Sequence, residues 1–271
     1  MFESFRHRDF RLFWAGSLVS NVGTWMQMYA LSIVVFSFRR SSFDLGLVGF
    51  LGGIPTLFLA LPAGAIADRV DRRRMLVVIQ VVLLLQAAAL GLLYVTGRLG
   101  PHDPVASLAW VCALGFVAGT FMAFQAPAFQ SLMPDLVPRD LLMNGIALTS
   151  AQFQASRLLG PLLAAGLVLA GAGMGEVFYV NSVSFLFVIA ALWAMRTRGR
   201  HVPDAAEETG DAREGSWSRL TAGLRHAHRD RAVGMLVLTT AFTVLFGFPY
   251  MVLLPAVVSA ALGLTGAALS R

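Results

Sequence analysis

Residues 64–74 read GAIADRVDRRR, a basic loop set between two long apolar runs. Gly64 stands near the end of the first run, where a missing side chain lets two backbones approach closely. Asp68 follows at i+4, on the same helix face. A carboxylate near a helix C-terminus is electrostatically unfavourable alone. It requires cations, and Arg69, Arg72, Arg73 and Arg74 are within sequence reach. Asp71 stands where it can cap the helix that starts near Met75. A cluster of this kind breaks and re-forms when two bundles rock, as a gate needs. It also anchors topology through positive charge alone, and charge does not separate the two readings.

Outward from the loop the chain is oily. It has 271 residues, 57% of them apolar and 13% charged, against about 25% charged in a soluble domain. About 20 apolar residues cross the hydrocarbon core as a helix. Seven runs reach that length: about 12–37, 43–67, 75–97, 105–132, 141–171, 176–195 and 232–255. Backbone in lipid must satisfy its own hydrogen bonds, and period-two alternation is missing. The runs therefore predict an all-α membrane protein. Arg6, Arg8 and Arg11 precede a run too long for a signal sequence, so the first span is expected to stay in the chain.

All 21 basic residues are arginine, and the formal net charge is +6. The charge sits in short loops between apolar runs, which argues for a lipid bilayer and against nucleic acid as the partner. Residues 1–11, 68–74, 133–140 and 196–231 carry sixteen arginines; residues 38–42, 98–104 and 172–175 carry three. That asymmetry predicts a cytoplasmic N-terminus and a cytoplasmic central loop. Arg39 and Arg40 run against it and are read as snorkelling at the interface. Within 196–231, RGRHVPDAAEETGDAREG reads as a charged linker. SWSRLTAGLRHAHRDR places Trp217, Leu220, Leu224 and Ala227 at helical spacing, with Arg219, Arg225 and Arg229 elsewhere on the wheel. It reads as a basic amphipathic helix on the inner leaflet.

The loop, its place after a second span and its basic character resemble the signature between the second and third helices of major facilitator superfamily transporters. FRHRDFRLFWAGSLVSNVGTWMQ, LGLVGFLGGIPTLFLALPAGAIADRVDRRR, PDLVPRDLLMNGIALTSAQFQASRLLGPLLAAG and GFPYMVLLP extend the resemblance over nearly the whole chain. It is specific for the branch of bacterial siderophore exporters, the transmembrane secretion effectors. The resemblance implies a fold of twelve spans in two halves, each half built from inverted three-helix repeats. Residues 1–195 would be the N-terminal six-helix bundle. Residues 196–231 would be the central loop, and 232–271 the first helix of an incomplete C-terminal bundle, so the chain reads as truncated after its seventh span. The implied function is a secondary transporter of the bacterial inner membrane. It would export a small organic molecule (siderophore, drug or metabolite) by alternating access, with an ion gradient as energy source. In this frame Asp68 and the loop arginines hold the cytoplasmic gate. The alternative is a non-transporting membrane scaffold or an inactive fragment.

Polar groups inside spans are costly and mark function or packing. Arg157, in the fifth span, is the ionisable residue placed deep in a run; it reads as an anion site or as a structural arginine. Gly145, Thr149, Gln152, Ser156 and Gly160 make one small, polar face on that span. Ser17, Asn21, Thr24 and Met28 do the same on the first, with Gln27 beside them. Two such faces line a cavity or glue helices together, and the spacing fits both. Gly160-Pro161 resembles a reduced G-P motif of the family's antiporters, with a kink at Pro161. Gly115, Gly119, Ala123 and Pro127 form a close-packing face on the fourth span, with Gln125 and Gln130 toward its end.

No Asp or Glu lies deep in a span, so a proton as coupling ion is inherited from the resemblance and has no carrier here. Cys112 is the one cysteine and reads as a small buried side chain. No metal, cofactor or enzyme motif is present in the sequence.

Overall fold

The computed structural model describes residues 2–67 and 70–197, with Met235 and Thr239. The seventh span, the amphipathic helix and nearly all of the central loop lie outside the described residues, as do Asp68 and Arg69. Six helices carry the fold: α1 (Arg8–Arg39), α2 (Ser42–Ala67), α3 (Arg72–Val95), α4 (Pro104–Leu136), α5 (Leu142–Leu169) and α6 (Met174–Ala194). Among the described residues there is no strand.

Local chemistry sets the helix ends. Asp71 caps α3, its carboxylate accepting from the Arg74 backbone N–H at 3.0 Å. Asp103 caps α4 in the same way, accepting from Ala106 N–H at 3.1 Å with Pro104 opening the helix. Arg40 ends α1 in the left-handed region, at φ 53°. The chain then turns sharply into α2. That turn gives Arg39, expected to snorkel at the interface, a specific partner. Its guanidinium makes two hydrogen bonds, of 2.9 and 3.0 Å, to the buried carboxylate of Asp44.

Helices α1, α3, α4 and α6 are long and apolar enough to cross a membrane. Helix α5 is diluted by Asn144, Thr149, Gln152, Gln154, Ser156 and Arg157. The chain is thus a multi-pass, all-α membrane protein.

The helices pack in a file. Helix α2 lies on α4, α4 on α3, α3 on α6, α6 on α1, and α1 on α5. Exchanging α1 with α4, α2 with α5 and α3 with α6 gives the same file read backwards. The triplets α1–α3 and α4–α6 are therefore equivalent by packing. Three crossings reverse direction between them, so the triplets are inverted, as in transporter repeats.

Glycine makes two of the seams. A Cβ on Gly119 of α4 would strike the backbone oxygen of Gly52 in α2. A Cβ on Gly160 of α5 would strike Trp25 and come within 2.9 Å of the Met26 nitrogen in α1. Between α1, α3 and α6 the seam is polar. Asn181 donates to Gln27 Oε1 at 2.9 Å, and Gln27 donates to Gln86 Oε1 at 3.2 Å. Ser184 donates to Asn181 Oδ1 at 3.0 Å. Interhelical bonds of this kind contribute about 0.6 kcal/mol each in lipid.

Candidate functional site

Two places in the bundle combine polar side chains with an opening. The first is the end that carries the GAIADRVDRRR loop. Arg72 donates to the Ser131 carbonyl at 2.8 Å and meets Asp135 at 3.4 Å, tying the start of α3 to the last turns of α4. Arg73 donates to the carbonyls of Trp193 and Met195, at 3.0 and 3.2 Å. Arg8 donates to Ala194 O at 3.2 Å. Both cations thus sit at the C-terminal carbonyls of α6, where the helix dipole favours positive charge. Asp9 completes the knot, accepting from the backbone N–H of Arg196 and from both the N–H and hydroxyl of Thr197. Arg74 is exposed and stands 3.7 Å from Asp71. The close backbone approach expected at Gly64 is not made by any of the described residues. Among the described residues no atom lies within 4 Å of where its Cβ would stand. Helix α2 makes that approach at Gly52, farther up its length.

The second place is a cavity of about 530 Å³ between α1, α3, α4 and α5, closed on one side by Val188 of α6. It opens where α1 and α4, the paired first helices of the two triplets, touch only lightly. Its polar lining is Ser17, Ser20 and Asn21 from α1, Gln80 from α3, Gln125 and Gln130 from α4, and Thr149, Ser150 and Gln154 from α5. Phe13, Phe129 and Phe153 supply aromatic surface.

The candidate residues divide between this cavity and the seams. Asn21 and Thr149 line the cavity; Thr24, Gln27, Gln152, Ser156 and Arg157 do not. Thr24 turns its hydroxyl back to the Ser20 carbonyl, at 2.9 Å. Gln27 is spent in the amide seam with Gln86 and Asn181. Ser156 is fully buried and bonds the Gln152 carbonyl at 2.9 Å. Gln152 is buried, and neither of its side-chain polar atoms has a partner among the described residues. The Arg157 guanidinium lies 5.8 Å over the Trp25 ring, whose edge meets Phe153. The α5 face is therefore divided: Thr149 reaches the cavity, while Gln152, Ser156 and Gly160 are buried.

Sequence reasoning missed Gln80, Gln86 and Asn181, single amides in apolar runs with no periodic signal. It also missed Asp135, whose loop was quoted only for its likeness to a family. Among the described residues no group of three or more His, Cys, Asp or Glu is placed to hold a metal.

Comparison with known proteins agrees with this architecture. A family model described as "Transmembrane secretion effector" matches residues 1–269. The chain is 22% identical to the staphyloferrin A transporter of Staphylococcus aureus, over 90% of this chain and 58% of that protein. It is 26% identical to the multidrug efflux pump Tap of Mycolicibacterium fortuitum, over 77% of this chain and 49% of that one. It is also 26% identical to the enterobactin exporter EntS of Shigella boydii, over 62% and 38%. The chain thus spans about half the length of the curated relatives it matches. No solved structure matches it significantly. Family and relatives are transporters and not enzymes. With its inverted triplets and a family match over nearly all its length, the chain belongs to the transmembrane secretion effector family of the major facilitator superfamily.

Proposed function

We propose that this chain works in secondary active export of a small organic molecule across the bacterial inner membrane, by alternating access driven by an ion gradient. The observation that carries the reading is the position of the cavity, between the paired first helices of two inverted triplets. That is where transporters of this design hold substrate. The named relatives move siderophores or drugs, so siderophore, drug and metabolite are the candidate cargoes, and a proton is the candidate coupling ion. The excess of arginine on the loop side supports a cytoplasmic N-terminus and a cytoplasmic motif.

In this reading Gly64, Asp68, Arg69, Asp71, Arg72, Arg73 and Arg74 form the cytoplasmic gate. Arg72 and Arg73 hold α3 to α4 and α6, so the six-helix half moves as one body. Asp68 and the loop arginines are the residues read as holding the contact that opens and closes. Asn21 and Thr149 belong to the substrate cavity; Gly160 and Pro161 shape the seam through which α5 follows α1.

Flux of a panel of siderophores and drugs in inverted membrane vesicles tests the reading, with and without a protonophore. Gradient-dependent uptake by the wild type is expected. Asp68→Asn should lose at least about 90% of it, with normal insertion. Uptake equal to empty vesicles for every compound would leave a membrane scaffold as the better description. Normal flux in Asp68→Asn would remove the gate role alone.

A further inference from the structure

Helices α5 and α6 both lie on α1 and scarcely meet each other. A furrow of about 920 Å³ is left between them on the flank of the bundle, with α1 as its floor. Gly166 widens it, since among the described residues no atom lies within 4 Å of where its Cβ would stand. Leu163, Val183 and Phe187 along the furrow are each about half exposed, so it faces hydrocarbon in a bilayer. Ser184 is the polar group deep in it, and its hydroxyl is already spent on the Asn181 carbonyl and Oδ1. One end differs from the rest. Glu176 and Tyr179 stand there, in the first turns of α6 and at the end of the bundle opposite the arginine loop. Glu176 is exposed and is the acid of the described lining. The first turn of a helix suits negative charge, and tyrosine suits the depth of the membrane interface. From Glu176 to Phe187 the furrow follows eleven residues of α6, about 16 Å of helix. That is about half of a hydrocarbon core of about 30 Å, the depth of one leaflet.

We propose that the furrow is a site for one phospholipid whose head carries a primary ammonium. Its acyl chain lies along α1, α5 and α6, and its ammonium donates to the Glu176 carboxylate. An accessible anion above an apolar furrow one leaflet deep matches that amphiphile in charge and in length. The head group decides among lipids. A primary ammonium makes a charge-assisted N–H bond to a carboxylate. A quaternary ammonium has no N–H to give, and an anionic glycerol head is repelled. The furrow stands apart from the cavity between α1, α3, α4 and α5, so the site does not rest on the transport reading.

Native mass spectrometry of the whole 271-residue chain tests this. The chain is released from micelles that hold equal amounts of dioleoyl phosphatidylethanolamine, phosphatidylcholine and phosphatidylglycerol, and the lipids it retains are counted. Phosphatidylethanolamine is expected to be retained about fivefold above either of the others, the effect of one partly exposed ion pair. Glu176→Gln should bring the three lipids to parity. Gly166→Phe sets a ring in the furrow, where a Cβ meets nothing among the described residues, and should lower retention of all three by about fivefold. Thermal unfolding of both variants in detergent separates lost binding from lost folding, and Glu176→Gln, an exposed substitution, keeps the test decisive if Gly166→Phe fails to fold. Equal retention of the three lipids by the wild type overturns the proposal. So does a preference for phosphatidylethanolamine that survives in Glu176→Gln. Retention unchanged in a folded Gly166→Phe overturns it too, and leaves the furrow to another segment of the chain or to a second copy.

Discussion

Two sets of amides sit in the apolar middle of this bundle with opposite fates. Gln27, Gln86 and Asn181 meet between α1, α3 and α6 and satisfy one another. Gln80 and Gln125 line the cavity, and among the described residues their buried carbonyl oxygens have no partner. Gln80 and Gln86 lie on the same helix, six residues apart. Residue type and depth do not separate a seam amide from a cavity amide here. The neighbour does: one amide found a seam and the other found a gap.

The sharpest way to break the contrast is to wedge the seam. A Cβ on Gly23 would strike Ser184 Oγ and stand 2.5 Å from Asn181 Oδ1. Gly23→Val should therefore destabilise the bundle by about 3 kcal/mol, an overpacking cost read as a lowered thermal midpoint in detergent. Next comes Asn181→Leu. It removes the donor to Gln27 and the acceptor of Ser184, and about 1–2 kcal/mol of stability should go with them. If Asn181→Leu unfolds at the wild-type temperature, the seam is not structural. The smallest effect belongs to the other set. Gln80→Leu deletes an unpaired acceptor, so the thermal midpoint should stay within the equivalent of about 0.5 kcal/mol. A large loss there would place Gln80 with the seam amides and erase the distinction.

Hydropathy made the spans legible because lipid admits few alternatives. The run 12–37 became Arg8–Arg39, and 75–97 became Arg72–Val95. Helix caps were legible where one side chain decides them, as at Asp71. Rotation and partnership were not. A helical wheel groups Thr149 with Gln152 and Ser156, yet α1 covers part of that face, and Thr149 alone of the three reaches the cavity. Arg39 read as a stray charge because its partner Asp44 is reached only through the left-handed turn at Arg40. Gly64 read as a packing site because glycine near a helix end usually is one; among the described residues the close crossing of α2 falls at Gly52.

The palindromic file of helices has a consequence for how the protein is made. Helix α2 waits for α4, and α1 waits for α5 and α6. Among the first three helices α1 and α2 touch only slightly, and α1 meets α3 chiefly through the Gln27–Gln86 hydrogen bond. Sixty-nine residues separate the end of α2 (Ala67) from the end of its main partner, α4 (Leu136). At ribosomal speeds that is about 3–14 s in which α2 stands in lipid without its main neighbour. During the same interval Gln27 lacks Asn181, which is still unmade. A chain arrested after three spans would expose its amides to hydrocarbon, and membrane quality control has a window of seconds in which to find it.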